Sequence, residues 1–209
     1  MSFKGKTKYS KLHSSAEGYD LYASCYDQDL GYLDSFERTV LLQMFADLKG
    51  KQVLDVGCGT GRLVRDLRNS GAFVTGVDIS EKMVEACKKK FPGMGVKLGE
   101  ADELPFEDES FDVLVASFLI VHLKTLDKFF DEAMRVLKPG GTLFVTNINQ
   151  RKAPKLKTKD NEEIVILSFY HRPDDVKAAL EHAFFDIEKE EFVRDGKVWV
   201  NQIIKATKR

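Results

Sequence analysis

The sequence predicts one α/β domain of three layers: a doubly wound parallel sheet, helices on both its faces, and a last strand running antiparallel. Three observations carry this. Between residues 52 and 146, short apolar runs alternate with segments of helical period, and such alternation with short links builds parallel sheets. The first run, Val53-Leu54-Asp55-Val56, feeds directly into the glycine-rich turn Gly57-Cys58-Gly59-Thr60-Gly61. The last two apolar runs, 184–193 and 197–206, are separated by Asp195-Gly196, a hairpin signal that reverses the final strand.

Residues 1–14 carry Lys4, Lys6, Lys8 and Lys11 among polar neighbours and are expected to be a flexible basic tail. Residues 15–50 form a helical N-terminal segment. In it Tyr19, Tyr22, Ala23 and Tyr26 recur at helical spacing, as do Val40, Leu41, Met44, Phe45 and Leu48, before Gly50 stops the second helix. Gln52–Val56 is a strand, 61–69 a helix ended by Gly71, and 73–77 a second strand. Ser80 caps a helix reaching Phe91, with Glu81 at its positive end. Gly95–Leu98 and Phe111–Ala116 are the third and fourth strands. Residues 126–137 follow as a helix with Leu126, Phe129, Phe130, Ala133 and Leu137 on one face. Pro139-Gly140-Gly141 turns the chain into a fifth strand, 142–146, and a helix over 173–183 precedes the terminal hairpin. The apolar run 164–169 is an extra strand or a pocket wall.

Composition narrows the function. The 209 residues suit a single domain, and 43% hydrophobic with 31% charged residues makes it globular rather than disordered. With 32 basic against 33 acidic side chains, the net charge of -1 argues against a nucleic-acid-coating protein. No run approaches the roughly 18 apolar residues of a membrane span, and the first residues lack the apolar stretch of a secretory leader. Cys25, Cys58 and Cys87 form no CxxC, so neither a disulfide framework nor a metal site is expected, and the compartment expected is the cytoplasm.

The chemistry-bearing residues cluster at strand ends. Gly57 and Gly59 suit a backbone that turns tightly and lets a ligand approach, and free N–H groups at a helix start favour an anionic group. Asp55, two residues earlier, is costly to bury unless it meets a cation or N–H donors. Asp78 ends the next strand, where an acid can accept both hydroxyls of a ribose. Together they specify a nucleoside with an anionic or zwitterionic end. Arg62 stands where a dinucleotide fingerprint has a small residue. From Glu100 to Asp112 there are seven acidic side chains and no basic one, a mouth suited to a cationic ligand. In it Asp102 or Glu103 would accept from an exocyclic amine and Leu104 would cover a base, while Glu107, Asp108 and Glu109 read as a solvated loop.

The strings VLDVGCGTG, VDIS, GEADELPFEDESFDVLVA and RVLKPGGTL occur in this order. They resemble the class I S-adenosylmethionine-dependent methyltransferases, in particular the methyltransferase type 11 or UbiE-like group, over roughly residues 16–206. The resemblance implies a Rossmann-like seven-stranded doubly wound sheet with the last strand antiparallel, and one methyltransferase domain over 15–209. Within it, 15–50 would be a helical lid and 147–172 a substrate-side insertion. It implies S-adenosyl-L-methionine as cofactor, with S-adenosyl-L-homocysteine as product. Gly57, Cys58 and Gly59 would pass under its methionine part, with Asp55 acting through the ammonium group. Asp78 would hold the ribose, Ile79 would pack on adenine, and Asp102 would accept from the adenine amine beside Ala101 and Glu103. Ser117 would lie near the sulfonium and Tyr26 would close a lid. Cys58 stands where the family commonly has Cys, Ser or Ala, so no redox role falls to it.

The function expected is methyl transfer to a small-molecule acceptor, with O, N or C as nucleophile. The alternatives are a nicotinamide-dependent oxidoreductase on a similar sheet and a non-catalytic regulatory module that binds the cofactor. His122, beyond the fourth strand, is the candidate general base or a shaper of the pocket, with His171 a second candidate. Arg151, Lys152, Lys155, Lys157 and Lys159 read as a solvated loop or as a dock for an anionic acceptor. No nucleic-acid partner and no membrane span are expected, and the chain is expected to be a monomer or homodimer.

Overall fold

A computed structural model describes residues 11–45 and 48–209, so residues 1–10 of the expected tail lie outside the described residues. The elements are β1 (Lys11–His13), α1 (Ser15–Tyr26), α2 (Leu30–Ser35), α3 (Arg38–Met44), β2 (Gln52–Val56), α4 (Val64–Asn69), β3 (Phe73–Asp78) and α5 (Glu81–Lys90). Then follow β4 (Gly95–Leu98), β5 (Phe111–Ala116), α6 (Asp127–Val136), β6 (Leu137–Ile148), β7 (Lys155–Lys157), β8 (Glu163–Ile166), α7 (Pro173–His182), β9 (Phe185–Asp195) and β10 (Val198–Lys208).

The alternating runs pair into a seven-stranded sheet of order β4-β3-β2-β5-β6-β10-β9. Every neighbouring pair from β4 to β6 is parallel, while β10 lies antiparallel to both β6 and β9. Alternate side chains along each strand feed two cores. Leu54 and Leu114 face Phe129, Phe130, Val176 and Leu180 of α6 and α7. Val53 and Val113 face Leu41, Val64, Leu67 and Val84 of α3, α4 and α5 on the other face. The strand order changes direction between β2 and β5, and in such sheets ligands bind at the carboxyl ends beside that point.

Four expectations are corrected. Lys11–His13 is no tail: it forms a strand parallel to β8, with β7 antiparallel on the other side, in a separate three-stranded sheet. The helix after the glycine turn starts at Val64 rather than at residue 61, because Gly61 holds φ +87 and a Cβ there would sit 2.5 Å from the Phe91 ring. The helix before β2 ends at Met44, and Gly50, at φ +75, serves the turn into β2 instead. The fifth strand of the main sheet begins at Leu137, not after the glycines. Leu137 pairs with Phe111, then the register jumps to Val113 with Thr142, and Pro139-Gly140-Gly141 bulges out between them.

The small sheet holds the N-terminal helix against the tip of the main one. Tyr22 and Cys25 of α1 pack on Ile164 of β8. At Gly18 the approach is so close that an added Cβ would lie 2.6 Å from the Ile166 side chain. Gly18→Val is therefore expected to push α1 off β8 and destabilise this contact by about 1–3 kcal/mol, the cost of overpacking. Limited proteolysis should then cut within α1 sooner than in the wild-type chain while the main sheet stays protected.

Candidate functional site

The carboxyl ends of β2, β3 and β5 carry the site. After β2 the chain turns through Gly57 (φ +72) and Gly59 (φ +54), conformations that L side chains rarely adopt. The amides of Gly57 and Cys58 both donate to the Val77 carbonyl, at 2.8 and 3.1 Å, so the turn is folded back onto β3. The Asp78 carboxylate finishes the work. One oxygen accepts from Gly59 N–H at 2.8 Å, and the other accepts from Ser80 N–H at 2.9 Å. Ser80, the N-cap of α5, accepts from Met83 N–H at 3.1 Å and donates its hydroxyl to Asp20 of α1 at 2.6 Å.

A cavity opens over this turn. Gly57, Gly59, Asp78, Ile79, Ala101, Ser117, Tyr26 and His122 of the sequence-predicted residues line it, so strand ends, lid and candidate base are brought together. Four predicted residues are not in its lining. Asp102 and Glu103 are exposed beyond its rim, with Ala101 the member of that loop that enters. Cys58 turns into the core beside Cys87, and that neighbour together with burial pushes its thiol up. Asp55 lies buried beneath the turn.

Asp55 has no side-chain hydrogen bond among the described residues, and burial pushes its carboxyl up to about 7. The Arg62 guanidinium pulls it down, while Asp78 and Glu37 add to the rise. Arg62, absent from the predicted site, is the buried cation of this cluster. It donates to Asp34 Oδ1 at 2.9 Å, to Glu37 Oε1, and to Ser117 Oγ at 2.6 Å. It also stacks over Phe118, 5.1 Å from the ring centroid. Glu37, fully buried, accepts in turn from Asn201 Nδ2 at 3.1 Å. Phe118 sits at φ +54, a strained position for a side-chain-bearing residue, and its amide is fixed by Thr146 Oγ1 at 3.0 Å.

The roof is α1. Besides Asp20, its C-terminal cap Asp27 accepts from Thr60 Oγ1 at 2.6 Å and pairs with Lys90. Tyr19 and Tyr26 point from this roof into the cavity, and the Tyr19 hydroxyl lies 2.7 Å from His122 Nε2. His122 Nδ1 lies 3.0 Å from the Leu167 carbonyl, which only accepts, so Nδ1 carries the proton. Burial lowers the His122 pKa, leaving the ring neutral with Nε2 accepting from Tyr19. His171 is not in the site. Its Nε2 donates to the carbonyls of Ile120 and Leu123, holding the loop that carries His122.

A second cavity adjoins the first, and Tyr19, Tyr26, Phe118 and His122 line both. Its other walls are mostly apolar, among them Tyr22, Tyr32, Phe36, Leu156 and Ile166. None of Arg151, Lys152, Lys155, Lys157 and Lys159 lines it; the insertion contributes Ile148, Gln150, Pro154, Leu156 and Ile166 instead. Lys155 pairs with Glu163 at 2.8 Å, and Arg151 stacks over Tyr170. Sequence reasoning missed Tyr19, Phe118 and Arg62 as site residues. Tyr19 had a usable signal, since it lies seven residues before Tyr26 on the same helical face.

The first cavity suits a nucleoside sulfonium. Its glycine floor is bare backbone, and Ile79 is 38% exposed against it where a base could cover it. Asp78 keeps acceptor capacity beyond its two N–H donors, and Arg62, the cation of the cluster below, is already engaged. Residues 54–145 match the family described as "Methyltransferase domain". Demethylmenaquinone methyltransferase of Tropheryma whipplei (strain Twist) is 37% identical over 134 residues, 61% of this chain and 56% of that protein. Sterol 4-C-methyltransferase strm-1 of Caenorhabditis elegans is 39% identical over 120 residues, 53% of this chain and 34% of that protein. The chain thus spans about half or less of the length of these relatives, and both are methyltransferases rather than nicotinamide-dependent enzymes. In fold it is similar to an S-adenosylmethionine-dependent methyltransferase from Mesorhizobium loti, with TM-score 0.68, 19% identity, and 84% and 100% of the two chains covered.

Two outcomes test the electrostatics. A carboxyl with its folded pKa raised to about 7 contributes stability at acid pH that is lost as pH rises from the ordinary carboxylate range through 7. Urea unfolding of the ligand-free protein should show this fall between about pH 4 and pH 7 and a plateau above it, and Asp55→Asn should flatten it. Glu37→Ala leaves Arg62 buried with one acidic partner fewer and is expected to cost about 3 kcal/mol, whereas Arg62→Met with Glu37→Leu costs less; equilibrium unfolding of the two variants compares them. Over residues 54–145 the chain thus matches a methyltransferase domain, and its sheet has the fold of S-adenosylmethionine-dependent methyltransferases.

Proposed function

We propose that the protein transfers a methyl group from S-adenosylmethionine to a small apolar acceptor. The observation that carries this reading is the meeting of two cavities across Tyr19, Tyr26, Phe118 and His122. One has the bare glycine floor and acidic strand ends suited to the cofactor, and the other has the aromatic walls suited to an acceptor. When bound, the cofactor supplies an electrophilic methyl group on a sulfonium. The protein's part is to hold two reactants in line and exclude water, which lowers a displacement barrier through proximity and desolvation.

The residue roles follow from chemistry. Asp78, buried and fixed by two amides, accepts from the ribose hydroxyls. Ile79 covers one face of the adenine, and Ala101 leaves room for its edge, with Asp102 and Glu103 closing from the rim. Gly57 and Gly59 let the methionine part lie on the backbone, with Cys58 contributing only its peptide. Asp55 lies close enough to Arg62, Glu37 and Asp78 to feel each of them, so an ammonium group above the turn would restore its ionised form. Ser117 and Tyr26 border the region where the two cavities join. The acceptor's apolar character agrees with the relatives, whose names refer to a demethylmenaquinone and a sterol.

Calorimetry with S-adenosylhomocysteine tests the cofactor half. Asp78→Ala removes hydrogen bonds to a charged acceptor and releases Gly59, so affinity is expected to fall about 10- to 100-fold while the domain remains folded by circular dichroism. Affinity equal to wild type would exclude Asp78 as the ribose ligand.

A further inference from the structure

The site holds one hydrogen-bonded pair with access to both cavities, Tyr19 and His122. The pair has a direction. Leu167 accepts from Nδ1, so Nε2 has the lone pair, and the Tyr19 hydroxyl covers it. The basic nitrogen is therefore reached through Tyr19. Having spent its own proton on His122, the Tyr19 oxygen still accepts a hydrogen bond from an incoming group. The ring edges pack as well, with centroids 5.2 Å apart at 85°.

The second cavity narrows what that group is. A carboxylate acceptor needs a cation to seat it, and neither Lys nor Arg lines this cavity. An aliphatic amine arrives protonated and needs a carboxylate, but the one acid in the lining, Asp29, already accepts the Tyr22 hydroxyl. A neutral ring compound with a weakly acidic hydroxyl matches both the apolar walls and a neutral, hydrogen-bonded acceptor at Tyr19.

We infer that Tyr19 is a catalytic residue that passes the acceptor's proton to His122, and that the acceptor is an apolar phenol or enol methylated on oxygen. The inference rests on the methyl-transfer reading above. As the acceptor oxygen gains its bond to the methyl carbon, its proton moves to Tyr19 Oη, and the Tyr19 proton moves to His122 Nε2. The methyl–sulfur bond breaks with both electrons left on sulfur, so the products are an ether, a thioether and one proton. That proton rests on the imidazolium, steadied by the Leu167 carbonyl, until water takes it. Tyr19 never becomes a free phenolate, consistent with burial raising its pKa well above the ordinary value.

The test uses the full chain. Calorimetry with S-adenosylhomocysteine comes first, and absence of binding would overturn the methyltransferase reading itself. Labelled S-adenosylmethionine is then offered with 1-naphthol and a panel of simple phenols, and with the same rings bearing an amine or a carboxylate. O-methylation of phenols is expected, with Tyr19→Phe lowering kcat about 10²-fold, KM little changed, and S-adenosylhomocysteine affinity retained. His122→Gln should lower kcat similarly, and the double variant no further. Without any substrate, the ¹⁵N resonance of His122 Nε2 should move in Tyr19→Phe as its hydrogen bond is lost, while Nδ1 keeps its protonated shift. The inference is overturned if only amines or carboxylates are methylated, or if nothing in the panel is methylated by a protein that binds S-adenosylhomocysteine. It is equally overturned if Tyr19→Phe keeps its rate, or if the Nε2 resonance stays in place.

Discussion

One carboxylate, Asp78, joins four parts of this fold. It ends β3, holds Gly59 N–H of the turn after β2, and holds Ser80 N–H at the start of α5. Ser80 carries the connection to Asp20 on α1. Strand, glycine turn, helix and roof are thus linked through a group that is itself 7% exposed. A buried carboxylate survives only where donors surround it, and two backbone amides supply that here. The site's floor is consequently set before any ligand arrives, as a preorganised nucleoside site requires.

The same region gathers more acid than it can neutralise. Asp55, Asp78 and Glu37 lie close enough to influence one another, and Arg62 is the cation among them. Arg62 is committed to Glu37, Asp34 and Ser117, which leaves Asp55 uncompensated and raised towards neutrality. An uncompensated buried acid is a cost to the empty protein and a source of affinity for a cation. The near-zero net charge of the whole chain conceals this local excess, because the lysines and arginines that balance it lie mostly on the outer surface and in the insertion.

The fold was legible because it is written in local patterns. Alternating apolar runs gave the parallel strands, Asp195-Gly196 gave the terminal hairpin, and Ser80 gave the cap of α5, all within a few residues of where they stand. The lining of the first cavity was legible for the same reason, since Gly57, Gly59, Asp78, Ile79 and Ala101 lie at strand ends that the pattern locates. What stayed hidden depends on distant pairings. Lys11–His13 read as a tail because its partner, Ile164–Ile166, is remote in sequence and the pairing needs α1 between them. Arg62 read only as a missing glycine, because Glu37 and Ser117 meet it from opposite sides in the folded chain. Tyr19 read only as one of a helical repeat, because its partner His122 lies on another element. The basic run 151–159 drew attention that its apolar neighbours Pro154 and Leu156 deserved, since charge is visible in sequence and facing is not.

The span that matches the methyltransferase domain and the segments outside it divide between the two cavities. Residues 54–145, the family match, supply Gly57, Gly59, Asp78, Ile79 and Ala101 to the first cavity. The second is walled largely from outside that span, by Tyr22, Tyr32, Phe36, Leu156 and Ile166. The small sheet of β1, β8 and β7 ties these flanking segments to each other and to α1. Changes there reach the Asp78 linkage only through α1, where Asp20 meets Ser80, and the two cavities share Tyr19, Tyr26, Phe118 and His122. Those four residues border both cavities at once, and two of them, Tyr19 and His122, are hydrogen-bonded to each other. The glycine floor of the first cavity and the aromatic wall of the second are thus both consequences of where the sheet switches direction and which segments are left to cover it.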